Sequence, residues 1–145
     1  MPTRTARTSW TGGLEDGSGT VTLTSSGLAS YEISFPKRAA DNADGTTSPE
    51  ELIAAAHAGC FAMQFSALLG AAGGSGQSLE VTAAVTLGPD PAGGFRITGI
   101  DLAVSGSADG VSAADFARIA ADAKAACPVS KALAGTTIRL EVAGA

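Results

Sequence analysis

The chain has 145 residues, 45% of them hydrophobic but only 5% aromatic, with 19 glycines and a formal net charge of −5. That length fits a single domain, 1–145, and apolar content made largely of Ala implies a thin core for a lone chain, which association with a second copy would remedy. An acidic balance with no cluster of Lys and Arg argues against a nucleic-acid partner.

Basic residues at Arg4 and Arg7 are followed by Thr8-Ser9-Trp10-Thr11-Gly12-Gly13, not by the apolar run of a secretory leader, so a cytosolic address is expected. From Arg4 to Phe35 the pattern is short and Thr-rich. Val21 and Leu23 alternate with Thr, and Tyr31, Ile33 and Phe35 alternate with Glu32 and Ser34, which is the period of strands. Gly12-Gly13, Gly17-Ser18-Gly19 and Ser25-Ser26-Gly27 are read as turns linking three antiparallel strands. Lys37 to Thr47 reads as a polar loop.

Ser48-Pro49-Glu50-Glu51 announces a helix: Ser48 can cap, Pro49 suits the first helical position and Glu51 is placed to complete a capping box. The helix should run from Pro49 to about Leu69, ended by Gly70 and the Gly73-Gly74-Ser75-Gly76 turn. Its low charge and length could reach across a bilayer, but its Ala, Gly and polar residues favour a buried helix in a protein with no membrane partner. Leu79, Val81, Ala83, Val85 and Leu87 alternate as a fourth strand, and Phe95 to Val104 form a fifth with a bulge at Gly99. Ser112 and Asp115 cap a second helix reaching Ala126; Pro128 starts a short one ending at Gly135, and Thr137 to Val142 close the chain as a strand. The order βββ-α-ββ-α-α-β, with strands joined by hairpins, predicts an α+β fold.

The chain's two cysteines, Cys60 and Cys127, lie far apart in sequence and each beside a helix, which is what a two-cysteine redox cycle needs. In a cytosolic protein a structural disulfide is not expected. A free thiol is mostly protonated at neutral pH unless a positive group is near. Cys60 lies too deep in its helix for the macrodipole to help, so a side chain must, and spacing leaves two candidates open: His57, three residues earlier on the same helix, and Arg38, in the preceding loop. Cys127 takes the cap position before Pro128, where unpaired backbone N–H groups favour an anion. The bland alternative is that both cysteines are small buried hydrophobes. His57, the one histidine, is read as a packed and hydrogen-bonded residue, and no pair of ligands has the CxxC or HExxH spacing of a zinc site. Glu50 and Glu51 have an ordinary role in a first helical turn.

Two long stretches, Ser48 to Phe61 (SPEELIAAAHAGCF) and Ala123 to Leu133 (AKAACPVSKAL), closely resemble the two cysteine motifs of the OsmC/Ohr family of thiol peroxidases. The resemblance runs from Trp10-Thr11-Gly12 and Gly19-Thr20-Val21 to the last strand. His57 before the first cysteine, Val129 after Cys-Pro and an Arg shortly before the first helix match the OsmC-like branch, while Ser48 and Gly59 replace the more usual Asn and Ala. By motif position the resemblance makes Cys60 the peroxidatic cysteine, Cys127 the resolving cysteine, and Arg38 and Glu50 an active-site pair. It implies an intertwined homodimer whose antiparallel sheets wrap around central helices, with the Ala-rich helix buried on all sides. The implied activity is reduction of hydroperoxides, organic ones preferred, with no metal or flavin cofactor, reset by an external thiol such as a lipoylated protein. Two other readings are a non-catalytic small-molecule-binding or stress protein of the same fold, and a Cys-His hydrolase using Cys60 and His57.

Overall fold

The computed structural model describes residues 1–143, in two compact units that divide after Leu52. In the first, β1 (Arg7–Thr11), β2 (Ser18–Thr22) and β3 (Ser30–Ile33) make an antiparallel sheet in sequential order, with Trp10 opposite Gly19 and Gly19 opposite Ile33. Ser18 and Gly19 belong to β2, not to the turn expected there. A side chain at position 19 would collide with the Ser9 carbonyl 2.6 Å away and the Trp10 ring at 2.8 Å, so glycine serves close strand approach.

A short helix, α1 (Phe35–Arg38), occupies the start of the expected loop; Ser34 caps it and Pro36 suits its first turn. The long helix α2 (Pro49–Ala71) begins as foreseen, with the Glu51 N–H donating to Ser48 Oγ at 3.2 Å. The reciprocal half of the capping box does not form, because the Glu51 carboxylate accepts from the Thr47 hydroxyl instead. Gly70 stays helical, and the chain turns at Gly73, whose φ is +86°.

In the second unit β4 (Ser75–Pro89) and β5 (Phe95–Asp109) form a long antiparallel hairpin, bulged where Thr86 faces Gly99 and Leu87 faces Ile97. Then follow α3 (Ala113–Ala126), capped by Ser112, α4 (Pro128–Ala132) and β6 (Ile138–Ala143). β6 pairs parallel to β5, so this connection is a helical crossover and not the hairpin that the sequence reading assumed. The α+β class stands, with two three-stranded sheets and four helices.

One row of α2 is completely enclosed: His57, Phe61, Phe65 and Leu69, each four residues after the last. Phe65 meets Phe116 of α3 edge to face at 4.8 Å, and the row packs with Leu102 and Val104 of β5 and Ile119 of α3. Burying each such large side chain stabilises the unit by roughly 1.5–3 kcal/mol. α2 is long and apolar enough to cross a membrane by length and composition, but this row is that of a core helix. Within the chain α2 is not buried on all sides. Ala55, Ala56, Gly59, Met63, Ala67 and Gly70 are exposed.

Gly106 supplies the sharpest test of the hairpin register. It pairs with Leu79 at φ +146°, and a Cβ there would lie 2.0 Å from the Ser78 carbonyl oxygen and 3.0 Å from Leu79 Cα. Gly106→Ala should therefore lower unfolding stability by at least about 2 kcal/mol in chemical denaturation, since both backbone strain and collision must be relieved. An unchanged midpoint would contradict this register.

Candidate active site

The first unit places Arg38 against Glu50. Arg38 stands at the end of α1 and Glu50 in the first turn of α2, and the guanidinium grips the carboxylate from two nitrogens: Nε lies 3.2 and 3.1 Å from the two oxygens, and Nη2 lies 2.6 Å from Oε1. Burial of the carboxylate opposes its ionisation, but the Arg38 hydrogen bond and charge, its own N–H and Ser48 outweigh it and hold Glu50 below the ordinary 4.5. Arg38 also lines a cavity of about 260 Å³ whose other walls are mainly apolar, including Trp10, Leu14, Ile33 and Phe35.

The second unit brings the two cysteines together. Although 67 residues separate them, Cys60 Sγ and Cys127 Sγ are hydrogen-bonded at 3.1 Å, and both thiols are free. Cys60 reaches this point from α2 and is half-buried, whereas Cys127, at the N-cap of α4, is fully enclosed. Closing that gap to a disulfide requires the sulfurs to approach by only about 1 Å.

The pair is electrically lopsided. Burial and then Cys127 push the Cys60 thiol up, against a weaker pull from the Val129 N–H. Burial also opposes ionisation of Cys127, but the Ser130 N–H, the Cys60 thiol, the Ser130 hydroxyl and the Val129 N–H overcome it and hold Cys127 below its ordinary value. When the pair loses its first proton, the charge therefore settles on Cys127.

His57 does not serve Cys60. Its Nε2 is 2.7 Å from Ser130 Oγ, and its Nδ1 has no partner among the described residues, so neither nitrogen is bonded to the sulfur one turn away. This removes the geometric basis for the Cys-His hydrolase. Among the described residues no group of three or more His, Cys, Asp or Glu side chains is placed to hold a metal ion. Ser130, buried and hydrogen-bonded to His57, is the residue beside the cysteines that the sequence reading missed. Its spacing three residues beyond Cys127, at the start of a helix, is the signal that could have found it.

A sequence model of the family described as OsmC-like protein matches residues 41–142, which extend across both compact units. Among curated proteins, Peroxiredoxin OsmC of Escherichia coli (strain K12) is 42% identical over 124 residues, 86% of this chain and 85% of that protein. Among solved structures, an organic hydroperoxide resistance protein OsmC from Legionella pneumophila superposes with a TM-score of 0.78 at 27% identity, covering 99% of this chain and 98% of its own. The organic hydroperoxide resistance protein OhrB of Bacillus subtilis does so with 0.74 at 28%, covering 96% and 98%.

His57 generates a pH-dependence that can be isolated. Burial holds its pKa below the ordinary 6.5, so the unfolded chain takes up a proton that the native ring resists. Its contribution to stability is complete above 6.5 and is lost as pH falls through the lower folded value, a window above that of the Glu50 carboxylate, which titrates below 4.5. In urea titrations at about pH 7.5 and about pH 5.5, the wild type should lose more stability on acidification than His57→Gln. Equal losses would contradict a neutral buried ring.

Proposed function

Because the chain belongs to the OsmC family, we propose that it is a thiol-dependent peroxidase that reduces hydroperoxides through Cys60 and Cys127. The observation that carries this reading is the 3.1 Å approach of two free thiols from distant parts of the chain. Cys60 is assigned the first step because it is the more accessible sulfur. Once the pair has lost one proton to solvent, passing the remaining one to Cys127 makes Cys60 a thiolate. That thiolate attacks the distal peroxide oxygen, the O–O bond breaks, and the departing alkoxide takes a solvent proton to become an alcohol. The Cys60 sulfenic acid is then attacked by Cys127; the S–S bond forms, the S–O bond breaks, and the hydroxyl leaves as water with the Cys127 proton.

A thiol raised by burial needs a cation to react, and Arg38, carried over by motif position, is assigned that role with Glu50 holding its guanidinium in orientation. A peroxide oxygen gaining charge would be stabilised by the same group. The apolar cavity beside Arg38 supports a preference for organic hydroperoxides, whose hydrocarbon part it could enclose. An external thiol reductant resets the disulfide, and a lipoylated protein would supply a suitable dithiol. We place the protein in the cytosol as a soluble homodimer. Trp10, Leu14, Leu28 and Tyr31 are exposed in the first unit, where Val21 is the one buried large aliphatic side chain among the described residues. A sheet of three short strands needs a covered apolar face to be stable. Met63 and its small neighbours on α2 likewise await cover that a second copy would supply. Light scattering at micromolar concentration should accordingly give twice the chain mass, and a monomer would refute this assembly.

In a peroxide-consumption assay with excess dithiol, Cys60→Ser should be inactive. With peroxide but no added thiol, Cys127→Ser should complete one turnover and leave a sulfenic acid on Cys60 that a dimedone probe captures. Arg38→Met should slow oxidation of Cys60 by at least about tenfold, the effect of losing roughly 1.4 kcal/mol of stabilisation. Wild-type turnover in both cysteine variants would refute the two-cysteine cycle, no turnover in the wild type would favour a non-catalytic binding protein, and sulfenate trapped only on Cys127 would reverse the assigned roles.

A further inference from the structure

His57 is a fully buried titratable group for which the peroxide cycle above has no task. With its pKa held down by burial, the ring is neutral near pH 7 and carries one N–H. Protonation at Nδ1 would enclose an N–H that no described residue accepts from; protonation at Nε2 leaves only an unused lone pair there. The Nε2 tautomer also donates to Ser130 Oγ, 2.7 Å away. A hydroxyl that accepts at its oxygen keeps its own proton for another acceptor. An acceptor the fold offers is Cys127 Sγ, three residues earlier at the N-cap of α4 and 3.1 Å from Cys60, whose ionisation Ser130 favours. His57 and Cys60 are neighbours on α2, and Cys127 and Ser130 are neighbours at the start of α4. The four side chains thus cluster where α2 meets the start of α4.

We propose that His57 and Ser130 are positioning residues for the sulfur exchange: His57 Nε2–H donates to Ser130 Oγ, and the Ser130 O–H is thereby directed at Cys127 Sγ. The proposal rests on the two-cysteine peroxidase reading and assigns it a direction. When the disulfide is reduced, the thiolate of the external dithiol attacks Cys60, the half-exposed sulfur, and forms a mixed disulfide with it. The Cys60–Cys127 bond breaks, and Cys127 leaves with the electron pair as a thiolate that Ser130 stabilises. The reductant's second thiol then closes on its own first sulfur, which releases Cys60 and leaves the reductant oxidised. A leaving thiol that is more stable as an anion departs faster. Neither His57 nor Ser130 touches the peroxide.

The test begins in a Cys60→Ser background, which needs no peroxidase activity and so separates this hydrogen-bond path from the catalytic reading. Ultraviolet thiolate absorbance then titrates Cys127 alone. Ser130→Ala should raise its midpoint by about one pH unit, the scale of one hydrogen bond to a charged group, while Ser130→Thr, which keeps the hydroxyl, should restore it. His57→Leu should raise the midpoint by a smaller amount, and by nothing once Ser130 is Ala, because its influence passes through the hydroxyl. His57→Gln, whose amide can donate to the same oxygen, should keep the wild-type value whether or not the Ser130 variants fold. In the protein with both cysteines, reduction of the preformed disulfide by dithiothreitol should slow by about tenfold in Ser130→Ala. An unshifted midpoint in folded Ser130→Ala, equal midpoints for His57→Leu and His57→Gln, or a His57→Leu shift that persists without Ser130 would overturn the proposal.

Discussion

The contact on which the chemistry depends is that between Cys60 and Cys127, and it exists because α2 and the α3–α4 turn share one packed core. Phe61 and Phe65 seat α2 against β5 and α3, and Phe116 locks α3 to Phe65 edge to face. Cys127 follows directly after α3, with its N–H still bonded to the Ala123 carbonyl, so the placement of α3 fixes the sulfur's position. Pro128 then permits a new helical axis at once, and the turn it begins presents Val129 and Ser130 to the sulfur. Apolar packing therefore determines the distance between the sulfurs.

The two sulfurs share a site but not an environment. Cys60 is raised by burial and by its partner, while Cys127 is lowered by donors from the start of α4. Such a pair gives up its first proton from Cys127, an asymmetry that suits a cycle in which each sulfur is in turn nucleophile and leaving group. Within the first unit, hydrogen bonds to both carboxylate oxygens of Glu50 set the orientation of the Arg38 guanidinium, the cation that the proposed mechanism calls on. Preorganised charge of that kind stabilises a transition state without reorganisation at the moment of reaction.

Much of this was legible in the sequence because its signals are local. Period-two alternation marked the strands, Ser48 and Ser112 marked the helix starts, and the two cysteine motifs marked the family. What was not legible depended on tertiary context. α1 is only one turn long, too short for periodicity to reveal. β6 pairs parallel because α3 and α4 carry the chain back across the sheet, and no pattern within six residues encodes that direction. Glu51 was drawn from its capping box by a hydroxyl just before the helix. Ser130 looked like an ordinary polar residue of a short helix, and its meaning appeared only when His57, 73 residues earlier, was found bonded to it. The exposed row of α2 resembles a buried helix in composition, and a single chain covers only one side of it.

The central claim is that Cys60 and Cys127 exchange electrons with a hydroperoxide through a bond between themselves. The most direct measurement is mass spectrometry of the reduced protein after one equivalent of cumene hydroperoxide, followed by proteolysis under conditions that block thiol exchange. The account predicts loss of two hydrogens from the intact chain and a single crosslinked peptide pair joining the α2 segment with Cys60 to the segment with Cys127. Unmodified cysteines with the peroxide left intact, or oxidation of Cys60 that never proceeds to the crosslink, would contradict it.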